Sequence, residues 1–196
     1  PYVMSVFVAL MEKGLPFELR TGDLSQQGQR APEYVGVSAT QRVPTLLHGD
    51  FALSESSAIT EYLEDVFPEQ PIYPKDARQR ATARLVQAWL RSDFMPIRAE
   101  RDTEVVFYGA KRAPLSDEAR RAADKLVAGV NRLLPEGATH LFGEYSIADT
   151  DLAMMLMRLV AHGDEVPNYL REYAMKQRQR ASVQAWVRHP LRGAMK

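Results

Sequence analysis

The stretch Gln41 to Glu64 reads QRVPTLLHGDFALSESSAITEYLE, and its reading decides the fold of the first half of the chain. Val43, Thr45, Leu46 and Leu47 are strand formers, yet Pro44 lacks an N–H and is poorly tolerated inside a strand. A cis Val43–Pro44 bond resolves the conflict by turning the chain just ahead of the strand, and only X-Pro bonds reach cis for as little as about 0.5–1 kcal/mol. Such a turn leaves the Val43 N–H and C=O facing outward, where an extended peptide can pair with them as an added strand. Taken alone, Pro44 fits a trans proline at a strand start better, because cis is the minority isomer.

Two apolar runs, Leu46-Leu47 and Phe51-Leu53, flank His48-Gly49-Asp50, a short glycine-containing loop that suits an antiparallel hairpin. Beyond Ser54-Glu55-Ser56-Ser57, the residues Ala58, Ile59, Tyr62, Leu63, Val66 and Phe67 fall at helical spacing. A helix start carries unpaired N–H groups and a partial positive charge, which together attract a carboxylate. The Ser56 hydroxyl adds a donor, and Glu55 beside it suits an ammonium group. A ligand with an α-carboxylate and an α-amine satisfies both. For either residue alone, a serine cap and an acidic residue complementing the helix dipole is the commoner explanation.

In combination, the Val-Pro step, the hairpin and Glu-Ser at a helix start resemble the glutathione-binding half of the glutathione transferase family. The resemblance covers the whole chain: SESSAITEYLED, QAWLRSDFMPIR, FGEYSIADTDLA and RLVAHGDEVP are similar to segments of a bacterial member. It implies that Val43 pairs with the cysteinyl backbone of glutathione and that Glu55-Ser56 grips its γ-glutamyl end. Gln41 and Arg42 stand where the family often places donors to the glycyl carboxylate. Arg42 is slightly preferred, since it can bond a carboxylate through two N–H groups; the loop from Thr21 to Arg30 is the other place for that donor. The family reads Ser-Pro-Tyr where this chain begins Pro1-Tyr2, which implies an activating serine immediately ahead of Pro1. Ser5, about one turn further along, is the alternative, at a position expected to point away from the thiol.

Composition bounds the rest. The chain has 196 residues, with 25 Lys and Arg against 25 Asp and Glu, enough for one large domain or two small ones and without the positive surplus that general nucleic-acid affinity requires. It has no cysteine, so no protein thiol acts as nucleophile or metal ligand; any thiol chemistry uses a thiol brought by the ligand. No run of about 18 apolar residues predicts a membrane span, and a cytoplasmic location is the default. The histidines, His48, His140, His162 and His189, lack metal-ligand spacing, so no metal site is expected.

Read in order, Val3, Val6, Phe7 and Leu10 predict an amphipathic helix from Pro1, with Lys13-Gly14 as a cationic last turn and stop. Phe17 to Arg20 reads as a short strand, Thr21 to Gln29 as a polar loop, and Ala31 to Gly36 as a helical turn. The expected domain is thioredoxin-like over 1–67, with its first strand missing ahead of Pro1. Pro68, Pro71 and Pro74 mark a linker over 68–75. An all-helical bundle is expected over 76–196. One helix runs from Asp76 to about Arg101 with a kink at Pro96, one starts at Ser116-Asp117-Glu118, and others start at Pro167 and Ser182. Ser146-Ile147-Ala148-Asp149 is a capping box, so Asp149 and Asp151 are read as folding residues rather than a catalytic carboxylate pair. Lys176, Arg178, Arg180, Arg188 and Arg192 read as a solvated basic face. Two functions follow from the resemblance. One is a glutathione transferase, with glutathione-dependent peroxidase or disulfide reductase activity as variants, acting as a homodimer on a small electrophile. The other is a scaffold or binding module that keeps the fold without the chemistry.

Overall fold

The computed structural model describes residues 1–21 and 30–190; nearly all of the loop expected over Thr21 to Gln29, and Arg192 of the basic group, lie outside the described residues. Along the chain the elements run α1 (Tyr2–Glu12), α2 (Pro32–Val35), β1 (Thr45–His48), β2 (Phe51–Ser54) and α3 (Ser56–Val66). There follow α4 (Ala77–Ser92), α5 (Met95–Glu100), α6 (Thr103–Tyr108), α7 (Asp117–Leu133), α8 (Ile147–His162), α9 (Asn168–Arg178) and α10 (Ala181–Val187). They group into two compact units: Pro1–Ile72 with the stretch from Ala181 onward, and Tyr73–Arg180.

In the first unit α1 buries every residue from Met4 to Leu10, because it packs against both α3 and α10. Its Phe7 ring meets Phe17 and Trp186, each with ring centres 5.3 Å apart. Gly14 ends the helix with φ +64°, a left-handed conformation that glycine adopts without strain. Lys13, the cation of the expected last turn, is buried. Its ammonium donates to Glu64 Oε2 at 2.7 Å and to the carbonyls of Phe67 at 2.8 Å and Gln70 at 2.9 Å. All three of its protons are thus used, and the Glu64 carboxylate also accepts the Ile72 N–H at 3.0 Å. This buried group ties α1 to α3 and to the proline-rich stretch after it.

The strand expected over Phe17 to Arg20 does not form. Burial alternates there, with Phe17 and Leu19 half-buried and Glu18 and Arg20 exposed, which is the period-2 pattern that prompted the reading. A strand also needs a ladder, and among the described residues the sheet is β1 and β2 alone. Residues 15–20 line a cavity of about 560 Å³ together with residues of α1 and β1, and no ladder joins them to β1. The hairpin itself pairs antiparallel in the register Thr45↔Ser54, Leu46↔Leu53, Leu47↔Ala52 and His48↔Phe51. Gly49-Asp50 forms its tip, one residue shorter than expected because His48 joins β1 and bonds the Tyr62 hydroxyl at 2.7 Å.

The second unit is all-helical. Asp76 caps α4 by accepting the N–H groups of Arg78 and Gln79 at 3.1 and 2.9 Å. The single kinked helix expected to run on to Arg101 is broken into α4 and α5, with α6 beginning beyond it. Pro96 lies in the first turn of α5, where its missing N–H leaves no helical bond unmade; one turn earlier the same ring excludes a continuous helix. Helix α8 is buried nearly all round, as befits the central helix of a bundle. Its start is organised by Asp149, fully buried, which accepts the Ser146 N–H and hydroxyl at 2.8 and 3.0 Å, the Leu141 N–H at 2.8 Å and the Tyr173 hydroxyl at 2.8 Å. Asp151 accepts from Gln87 at 2.8 Å and from Arg91 at 3.1 Å. Both carboxylates are committed to holding helices together, as their capping context suggested.

Candidate functional site

The segments singled out by the sequence meet at one end of the hairpin. The Val43–Pro44 bond is cis, and Val43 is half-buried just ahead of β1. Because Thr45 pairs with Ser54, the residues entering β1 and those leaving β2 are neighbours. Gln41, Arg42 and Val43 therefore lie on the same side of the unit as Glu55 and Ser56. Gln41 and Glu55 are the two non-glycine residues with positive φ among the described residues, at 53° and 74°. Such backbone costs of order 1–3 kcal/mol and persists where the surroundings over-determine it, commonly at ligand sites.

Glu55, not a serine, holds the N-cap position of α3, makes no side-chain capping bond, and is exposed. Its carboxylate is therefore not consumed by the helix start. Ser56 is the first residue of α3 and is 4% exposed. Gln41 and Arg42 are exposed. The Ser5 hydroxyl is fully buried and has no hydrogen-bond partner among the described residues, so it is closed to a ligand from solvent. The serine expected ahead of Pro1 is not among the residues of the chain. None of residues 41–43, 55 or 56 lines the apolar cavity beside β1; the ligand candidates converge elsewhere, on the polar end of the hairpin.

Sequence reasoning missed a set of hydroxyls beneath this end. The Tyr34 hydroxyl donates to the Arg42 carbonyl at 2.8 Å and lies 2.8 Å from Thr45 Oγ1. Thr45 Oγ1 is 3.1 Å from Ser54 Oγ, which is 2.9 Å from Ser38 Oγ. Ser54, half-buried at the end of β2, belongs to this network. The available signal was the recurrence of Ser and Thr around the Val-Pro step, but nothing local says that they touch. The histidines do not converge: His48 bonds Tyr62, His140 bonds Thr139 and His162 bonds Asp164. No cluster of three or more His, Cys, Asp or Glu with metal-holding geometry occurs among the described residues. No helix among them is long and apolar enough to cross a membrane.

The chain belongs to the glutathione S-transferase family: the profiles described as Glutathione S-transferase, N-terminal domain and Glutathione S-transferase, C-terminal domain match residues 1–66 and 76–190. Its fold is a thioredoxin-like N-terminal part followed by a helical C-terminal part. A glutathione transferase homolog from Burkholderia, solved with bound glutathione, is 45% identical, with a TM-score of 0.77 over 95% of this chain and 89% of that one. Glutathione S-transferase 1 of Dianthus caryophyllus is 37% identical over 92 residues, 47% of this chain and 42% of its own length. Maleylacetoacetate isomerase of Dictyostelium discoideum is 28% identical over 148 residues, 74% of this chain and 66% of its own. The chain thus spans less than two thirds of the length of either curated relative.

Proposed function

We propose that this protein is a glutathione transferase that binds glutathione at the polar end of the hairpin, activates its thiol and transfers it to a small electrophile. The observation that carries the reading is the convergence of Val43, beside a cis proline, with an uncommitted Glu55 held at φ 74° and Ser56 at the start of α3. In this reading the Val43 backbone pairs with the cysteinyl residue. The first turn of α3 and Ser56 take the γ-glutamyl carboxylate, and Glu55 takes the α-amine. Arg42, with Gln41 beside it, takes the glycyl carboxylate. The activating hydroxyl is that of a serine immediately ahead of Pro1, in the Ser-Pro-Tyr pattern of the family. From the resemblance of the quoted segments to the bacterial glutathione transferase YfcF we infer a bacterial, cytoplasmic homodimer that acts in detoxification or the response to oxidative stress.

A thiol of pKa about 8.5 is mostly protonated at neutral pH, and the thiolate is the nucleophile. Lowering that pKa by about 2 units requires about 2.7 kcal/mol of preferential thiolate stabilisation. The N-terminal dipole of α1 supplies up to about 2 kcal/mol when partly buried, and a hydroxyl bond to the charged sulfur supplies about 1.5–3 kcal/mol. Titration of glutathione bound to the full-length protein, followed by thiolate ultraviolet absorbance, tests this. The expected result is a thiol pKa well below the free value. Bound glutathione that keeps its free pKa leaves only the scaffold reading. The isomerase among the relatives favours one further substrate class, since a thiolate that adds to an activated cis double bond and leaves again isomerises it. A rate screen over aryl halides, organic hydroperoxides, small disulfides and an activated cis-olefinic dicarboxylate separates these activities.

A further inference from the structure

The hydroxyls of Ser38, Ser54, Thr45 and Tyr34 form one continuous chain that ends on the Arg42 carbonyl, with successive separations of 2.9, 3.1, 2.8 and 2.8 Å. A hydroxyl has one proton to give and lone pairs to accept with. One assignment that satisfies all four has Ser38 donate to Ser54, Ser54 to Thr45, Thr45 to Tyr34, and Tyr34 to the carbonyl; Ser38 Oγ and Thr45 Oγ1 also lie 3.5 Å from that carbonyl. Bonds arranged head to tail in this way polarise and strengthen one another. Ser38 is 1% exposed, and Tyr34, Thr45 and Ser54 are half-buried; the Tyr34–Arg42 end of the chain is exposed.

The chain links the two segments proposed to hold glutathione. One end fixes the carbonyl of Arg42, between Gln41 and Val43. The other starts at Ser38, whose carbonyl accepts the Gln41 N–H at 3.1 Å. Ser54, in the middle, is the residue immediately ahead of Glu55. The strained backbones at Gln41 and Glu55 therefore flank one network, and the Ser38–Ser54 bond spans directly from one segment to the other. We propose that this hydroxyl chain is a positioning device: Ser38, Ser54, Thr45 and Tyr34 set the spacing between segments 41–43 and 55–56, and hence the affinity for glutathione, without touching the ligand. The inference rests on the reading that glutathione binds across those segments.

The test uses the full-length protein with Tyr34→Phe, Ser38→Ala, Ser54→Ala, the Ser38→Ala/Ser54→Ala pair, and Ser54→Thr. Two quantities are read: the glutathione dissociation constant by calorimetry, and the amide exchange rates of residues 41–43 and 55–56 without ligand. Each single removal is expected to raise the dissociation constant about five- to tenfold, the effect of one lost hydrogen bond. The same variants are expected to speed amide exchange at both segments. The paired variant is expected to lose little more than either single one, because the two hydroxyls act through one bond. Ser54→Thr, which keeps the hydroxyl, is expected to restore the wild-type constant. Tyr34→Phe removes one oxygen from a half-buried ring and keeps the test open should a serine variant fail to fold. Unchanged affinity in Tyr34→Phe and Ser54→Ala, in a protein whose wild type binds glutathione, overturns the positioning role, whatever the exchange rates do. A wild type that binds no glutathione overturns the proposed function itself, and the ligand-free exchange rates then report on the network alone.

Discussion

Glu55 combines a strained backbone with a carboxylate that makes no capping bond to α3. Its backbone sits at φ 74° and ψ 115°, a region that side chains with a Cβ avoid and glycine tolerates. Its carboxylate, exposed and outside any capping bond, contributes nothing visible to α3. The two facts predict opposite effects from one substitution. Glu55→Gly is expected to relieve strain and raise stability by about 0.5–1 kcal/mol, while weakening glutathione binding. Thermal melting beside a glutathione titration checks both signs. A variant that melts lower than wild type and binds equally well would assign Glu55 to the fold. Gln41, at φ 53°, is the matching position on the other segment; neither angle is legible in the sequence, because Gln and Glu carry no preference for that region.

At the scale of elements, Lys13 ties α1 to α3 and to the stretch after it. Its side chain is fully buried against Glu64 at 2.7 Å, and removing one partner of such a pair leaves an uncompensated charge. Lys13→Met is expected to destabilise the protein by about 3–5 kcal/mol. Lys13→Met with Glu64→Leu is expected to recover only part of this, because the Ile72 N–H and two carbonyls lose their partner. Denaturant unfolding of the two variants checks the order. This pair spans 51 residues, which is why the sequence showed only a cationic last turn. Local signals read well: the hairpin at Gly49-Asp50, the Asp76 and Ser116 caps, and the Ser146/Asp149 start of α8 all lie within a few residues of one another. Features that need a distant partner did not. Residues 17–20 have a strand's alternation without a neighbour to pair with, and α10 groups with α1 rather than with the helices that precede it. The candidate site was proposed from residue types, Val43, Glu55 and Ser56. The hydroxyl chain beneath it was not legible, because it joins residues up to 16 positions apart.

The whole molecule carries charges whose protonation bounds its stability. Burial would raise the Asp164 carboxyl, but the Arg101 guanidinium bonded to both its oxygens, and His162 beside it, hold it below the usual range. For Asp102 burial also raises, and the Arg112 guanidinium with the α6 N–H groups outweighs it. A carboxyl with a lowered folded-state pKa contributes stability above its unfolded value, about 3.9, and loses it as pH falls through the folded value. Tyr173 shifts the other way: burial first, then the Asp149 carboxylate, push its hydroxyl well above the ordinary tyrosine range. Its contribution is complete below about pH 10 and is lost as the pH rises beyond it. Melting temperature against pH is therefore expected to fall on both sides, with Asp164→Asn shrinking the acid limb and Tyr173→Phe the alkaline one. Limbs unchanged in these variants would place the titrating groups elsewhere.

The central claim is that the end of the hairpin holds glutathione through Glu55, Ser56 and the backbone of Val43. Calorimetric titration of the full-length protein tests it most directly, with glutathione and with cysteinylglycine, which lacks the γ-glutamyl group. Wild type is expected to bind glutathione and to prefer it clearly over the dipeptide. Glu55→Ala and Ser56→Ala are each expected to weaken glutathione by about 1–3 kcal/mol, the effect of leaving a charged group without its partner. Both should leave the dipeptide unaffected. Glu55, being exposed, gives the result free of any change in folding. Wild-type affinity for glutathione in both variants, or equal affinity of the wild type for the two ligands, would contradict the account.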